Sequence, residues 1–149
     1  MPELEFAFIT HVDVSNIIDF GETVRGHRRV VPIVGGTFEG PRIKGKVLPG
    51  ADWQIVRPDG TLELEARYAL ETDDGALISM VNRCIRRASP EVMARLNAGE
   101  AVDPSEVYFR TTPTFETAHP DYQWLMNSLF IGSGERRRAQ VVITFYEVL

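Results

Sequence analysis

The sequence predicts an all-β fold: a closed antiparallel β-barrel of about eight to ten strands with one short helix. Three observations carry that prediction. Period-two alternation of apolar and polar residues dominates the chain, two Asp-Gly pairs sit between alternating segments where hairpin turns belong, and helical periodicity occurs once. A sandwich meets the same description, but meander hairpins with tight turns close more readily into a barrel, and a barrel of this size holds side chains or one small ligand.

The elements follow in order. Leu4, Phe6 and Phe8 alternate with Glu3, Glu5 and Ala7, a first strand. Arg29, Val31 and Ile33 alternate with Val30 and Val34 in a second, and Gly35-Gly36, before Thr37 and Phe38 in a strand context, reads as a bend or bulge. Trp53 to Arg57, Thr61 to Thr72 and Ala76 to Ile85 form a three-stranded meander. Its two connections, Arg57-Pro58-Asp59-Gly60 and Thr72-Asp73-Asp74-Gly75, read as type I turns with glycine in the left-handed position. Ser89-Pro90-Glu91 starts the one helix, with serine at the cap and proline at the first helical position, and Val92, Met93 and Leu96 form its apolar stripe before Gly99. Val107 and Phe109 alternate with Tyr108 and Arg110. Leu125 to Ile131 and Val141 to Val148 are apolar on both faces, so they need cover from the helix or from another subunit. Between them, Gly132-Ser133-Gly134-Glu135 reads as a turn and Arg136-Arg137-Arg138 as a solvated tip, with an anion site as the alternative.

A glycine bulge after each turn pairs Arg57 with Thr61 and Thr72 with Ala76, and the period of two then sets every face. One face carries Val56, Leu62, Leu64, Ala66, Leu70, Ile78, Met80 and Cys84, interrupted by Asp52, Gln54, Tyr68 and Asn82. Asp52 lies opposite Ala66 and Ala66 opposite Asn82, so these polar groups cluster. A two-residue Asp59-Gly60 loop is the rival register and would place Trp53 and Ile55 on that face instead. Glu63, Glu65, Arg67, Glu71 and Arg83 share the other face as a solvated charge ladder. Buried polar groups are costly without partners, so the cluster implies either an internal network or a pocket.

With 149 residues, the chain is expected to form one domain over residues 1–149. A net charge of −5 disfavours nucleic acid and anionic membrane as partners. Cys84 is the only cysteine, so no intramolecular disulfide is possible, and mid-strand it reads as a buried inert thiol. With neither a signal peptide nor a membrane-length apolar run, a soluble cytoplasmic protein is expected.

His11, His27 and His119 have no acidic residue at metal-ligand spacing, and no phosphate loop, dinucleotide fingerprint or nucleophile elbow is present. Neither metal nor cofactor is expected. Along the segment from Tyr108 to Glu116, Arg110 and Glu116 are placed to project toward one cavity, where an arginine fork would bind an anionic group and a carboxyl in apolar surroundings would exchange a proton near neutrality. A structural ion pair between the two is the alternative. Tyr122, Trp124 and Asn127 are placed at the start of the next strand, with Trp124 either core or at a barrel mouth.

The strings GGTFEGP (35–41), ADWQ (51–54), RPDG (57–60), TDDGALI (72–78), FRTTPTFET (109–117) and YQWLM (122–126) resemble uncharacterised protein family 0311, also called domain of unknown function 3237, over nearly the whole chain. Glu65 stands where that family usually has Asp, and Met126 where Asn is expected. The resemblance implies a barrel similar to those of allene oxide cyclase and dirigent proteins (calycin-like, often oligomeric), with an apolar ligand cavity and no cofactor. It names no substrate.

The candidate roles are then Glu116 or Asp52 as acid or base, Arg110 on an anionic or oxygen-bearing group, and Tyr68, Asn82 and Trp124 orienting the ligand. The expected activity is cofactor-free isomerisation, cyclisation or elimination of a small polar or anionic organic molecule by a homo-oligomer. A non-catalytic binding barrel and an oligomeric interaction protein are the alternatives.

Overall fold

The computed structural model describes residues 1–149. Its first five strands are β1 (Leu4–Val14), β2 (Ile18–Thr23), β3 (Gly26–Glu39), β4 (Lys44–Val47) and β5 (Gly50–Val56). After β6 (Leu62–Thr72) and β7 (Leu77–Arg87) come helix α1 (Pro90–Asn97), strand β8 (Tyr108–Glu116), helix α2 (Trp124–Asn127), β9 (Phe130–Arg136) and β10 (Gln140–Val148). Every pairing is antiparallel. The order β1-β10-β9-β8-β7-β6 leads to β4 and β5, which successively fill one slot between β6 and β3, and β3 pairs back onto β1. The result is a closed barrel of eight staves. Strand β2 lies outside it, on the half of β3 that β1 has left free.

The two turns set the register of the meander. Gly60 and Gly75 have φ of +84° and +86°, and Arg57 N–H and Thr72 N–H donate to the carbonyls of Thr61 and Ala76. The bulged pairing therefore holds: Asp52 opposes Ala66, which opposes Asn82. The outer face is a charge ladder, with Glu65 at 3.4 Å from Arg83 and 3.1 Å from Arg67, and Lys46 at 3.1 Å from Glu71.

Four local expectations need correction. A bulge between Phe6 and Phe8 reverses the parity of β1, so Leu4 and Phe6 face out while Phe8 is buried. Leu125 to Ile131 is not one strand: His119 caps a 3₁₀ turn at Pro120–Tyr122, helix α2 follows, and β9 begins only at Phe130. Gly132 to Glu135 lies within β9, and the turn tightens to the residues between Arg136 and Gln140. The helix at Ser89-Pro90 forms as expected, Ser89 Oγ accepting from Val92 N–H at 3.2 Å, yet it covers one end of the barrel rather than a side.

The interior divides along the barrel axis. Toward α2 it is aromatic: Phe8, Phe38, Phe115, Phe130 and Phe145 pack edge-on or tilted, and Tyr122 and Leu125 close the end. Toward α1 a small cluster of Leu62, Leu64, Cys84 and Phe109 surrounds the polar groups. A Cβ on Gly134 would lie 2.6 Å from the Phe109 ring, so only glycine lets that ring lie across β9.

Candidate functional site

The polar groups on the inner face of the meander stand where β5, β6 and β7 run side by side toward the α1 end. Asp52 and Gln54 come from β5, Tyr68 from β6, and Asn82, Cys84 and Arg86 from β7. Arg29 from β3 and Arg136 from the end of β9 join them. All but Arg29 line a narrow inner chamber of about 30 Å³, which meets at Gln54, Arg86 and Arg136 a cleft of about 440 Å³ that Arg29 also lines. The cleft is rimmed by Leu96 and the segment after α1. The chamber has room for no more than one small functional group, whereas the cleft is of small-molecule size.

A relay of hydrogen bonds orients the acid. Arg29 Nε and Nη2 donate to Gln54 Oε1 at 3.1 and 2.7 Å, and Gln54 Nε2 donates to Asp52 Oδ2 at 2.9 Å. This leaves Asp52 Oδ1 buried and without a partner. Burial pushes the Asp52 carboxyl up to about 6, against the pull of the Gln54 hydrogen bond and of Arg86, Arg136 and Arg29. The carboxyl thus titrates where a general acid or base must.

Other polar atoms around it are also unsatisfied. Asn82 is 0% exposed and neither atom of its amide has a partner, Arg86 is 6% exposed with a free Nε, and the Tyr68 hydroxyl faces Thr10 without a hydrogen bond of ordinary geometry. Buried groups of this kind normally find partners, so a concentration of them marks this chamber as the candidate site. Burial and the neighbouring Arg136 and Arg29 push the Arg86 guanidinium down to about 10, so it stays charged at neutrality. Burial raises the Tyr68 hydroxyl and the Cys84 thiol, and the Asp52 charge raises both further, which leaves Cys84 inert as a nucleophile.

Three of the six sequence-predicted site residues, Asp52, Tyr68 and Asn82, meet at the chamber. The other three do not. Tyr108, Arg110, Thr112, Thr114 and Glu116 all lie on the exposed side of β8, whose inward residues are Phe109, Thr111, Pro113 and Phe115. Arg110 donates to the Phe109 carbonyl and to Ser133 Oγ, lining a broad groove on the outer wall, and it forms no ion pair with Glu116. Trp124 sits at the opposite end with the Arg42 guanidinium stacked 3.8 Å over its ring. Arg29, Arg86 and Arg136 take the place of these residues at the site. Arg86 continues the inward series Met80, Asn82, Cys84 and escapes the sequence reading because β7 runs on to Arg87; Arg136 lies in the run that reads first as a solvated tip and alternatively as an anion site.

Folding also brings ligand atoms of Asp74, His119 and Asp121 within 4.8 Å of one another. Capping accounts for the group: Asp74 accepts from Thr72 and Tyr122 hydroxyls, and His119 Nδ1 accepts from Asp121 N–H.

Comparison with known proteins fits this barrel. The family described as "Protein of unknown function (DUF3237)" matches residues 2–148. A UPF0311 protein of Rhodopseudomonas palustris is 49% identical over 148 residues, which cover 99% of this chain and 97% of the relative. The crystal structure of a conserved protein of unknown function from the same species superposes with a TM-score of 0.95 at 47% identity, covering 100% of this chain and 98% of that one. A β-barrel-like protein of Acinetobacter baumannii gives 0.87 at 41%, covering 100% and 97%. More distantly, a hydroalkoxylation enzyme of Penicillium herquei is 29% identical over 77 residues, 52% of each chain.

Proposed function

The chain belongs to the DUF3237 family, and from its site we propose that it is a small-molecule barrel in which Asp52 exchanges a proton with an organic anion held by arginines. The observation that carries this reading is Asp52 Oδ1, buried and unpartnered beside three guanidinium groups. Gln54 and Arg29 hold the carboxyl in place. Its Oδ1 removes a proton from carbon or oxygen of the ligand and returns it at another atom, the proton balance of an isomerisation, a cyclisation or an elimination. Arg86 and Arg136 stabilise the negative charge that develops when the proton leaves. Asn82 and Tyr68 orient the group that enters the chamber. None of these steps calls on a cofactor.

The distant Penicillium relative supports the reading through its name. Hydroalkoxylation adds an O–H bond across an alkene, so one proton leaves oxygen and one arrives at carbon, the task of a carboxyl poised between its two forms. Native mass spectrometry of the purified protein, followed by denaturation and analysis of released small molecules, tests the site: a retained organic acid is expected. Asp52→Asn should keep that ligand and lose any turnover of it. Turnover unchanged in the variant would remove Asp52 from its role.

Self-association is a second, compatible reading. Trp53 is 44% exposed on the outer wall and stacks on the exposed Phe20 with ring centroids 5.8 Å apart. The intact mass from the same experiment distinguishes a homo-oligomer from a monomer.

A further inference from the structure

Charge and hydrogen-bond counts at the site point to the class of its ligand, an inference that rests on the proposed small-molecule reading. Arg29, Arg86 and Arg136 face the chamber and cleft, and none takes part in any of the protein's ion pairs. The one carboxylate of the chamber is Asp52. At the rim Arg137 is already paired with Glu135 at 3.5 Å, and the charges of Arg138 and Glu100, which also line the cleft, offset one another. The site therefore holds a surplus of about two positive charges in a chain whose net charge is −5.

The guanidinium forks are not equivalent. Arg29 spends its Nε and Nη2 on Gln54, whereas the side chains of Arg86 and Arg136 make no hydrogen bond within the protein. Arg86 is 6% exposed, and its Nε is buried without a partner. Each free fork matches one carboxylate through two parallel N–H donors. The two arginines come from β7 and β9, the strands that flank β8, and both line the opening between the chamber and the cleft.

We propose that the ligand is a small organic dicarboxylate, one carboxylate on Arg86 and the other on Arg136, with the carbon chain between them presented to Asp52 Oδ1. A single carboxylate would leave either buried Arg86 or half-buried Arg136 without an anion, and a neutral ligand would leave both.

Calorimetric titration of the wild-type protein tests this with succinate, glutarate and phthalate, the monomethyl ester of each, the neutral diester, and inorganic phosphate. At least one diacid should bind about tenfold or more tightly than its monoester, with the advantage lost in Arg86→Gln and in Arg136→Gln. Monoester or diester binding as tightly as diacid overturns the dicarboxylate assignment while leaving the small-molecule site intact. Phosphate binding more tightly than every diacid overturns it in favour of a phosphate ligand. No binding by any probe overturns the dicarboxylate assignment, whereas the reading beneath it falls only if native mass spectrometry also finds no retained organic acid. Because the ester series uses the unmodified protein, it stands whether or not the arginine variants fold.

Discussion

The two ends of the barrel are built to the same plan and finish differently. Each is covered by a short helix from a crossover that begins at a proline: α2 at one end, α1 at the other. At the α2 end Leu125 and Tyr122 insert among phenylalanines and the polar groups are satisfied, Asp74 taking hydrogen bonds from Thr72 and Tyr122. At the α1 end only Val92 of the helix is buried, and beneath it lie unpartnered atoms of Asp52, Asn82, Tyr68 and Arg86. The difference separates an end that stores stability from one that spends it on keeping buried polar groups unpaired.

Breaking the packed end should have the largest effect. Phe145 is 0% exposed and touches Phe8 and Phe115, so Phe145→Ala should lower stability by about 3–5 kcal/mol in denaturant titration. A loss below about 1 kcal/mol would mean that the aromatic end is not the structural anchor.

The polar end should respond with the opposite sign. Asp52 has a folded pKa of about 6 against 3.8 for the free side chain, so the folded chain binds the proton more readily than the unfolded one. Its contribution to stability is therefore most favourable below pH 3.8, falls as pH rises from 3.8 through 6, and is flat above, a cost of about 3 kcal/mol at neutrality. Asp52→Asn removes that ionisation. The variant should be more stable than wild type by about 1–3 kcal/mol at pH 7, with the advantage fading as pH is lowered to about 4. An advantage independent of pH would assign the effect to packing instead.

Two smaller effects sharpen the contrast. Ser89→Ala removes the α1 cap and should cost about 1 kcal/mol, seen as faster amide exchange confined to α1 and the cleft rim. Exchange spreading into the aromatic end would mean the two ends are coupled. Glu116→Gln and Arg110→Gln alter solvated positions on the outer wall, so stability should move by no more than about 0.5 kcal/mol and ligand affinity should not change. A marked loss of affinity in either would return the outer groove to consideration as the ligand site.

Much of this architecture was legible in the residues. Pro58, Gly60 and Gly75 define type I turns with a bulge, that register aligns Asp52, Ala66 and Asn82, and Ser89-Pro90 announces α1; these are local preferences, expressed within a few bonds of the residues that cause them. Parity within a strand is equally local, so Asp52, Gln54, Tyr68 and Asn82 could be assigned to the inner face before any fold was known. Parity does not say which face of an isolated strand turns inward. On β8 both faces mix polar and apolar residues, and only Phe109, Thr111 and Phe115 packing against distant β1, β9 and β10 turn Arg110 and Glu116 outward. Arg29, Arg86 and Arg136 come from strands far apart in the chain, and barrel closure alone brings their charges to one opening. The sequence by itself determined the turns, the meander and its buried acid; the tertiary structure decided which cations face that acid, because electrostatic neighbours depend on distances through space that local preferences do not encode.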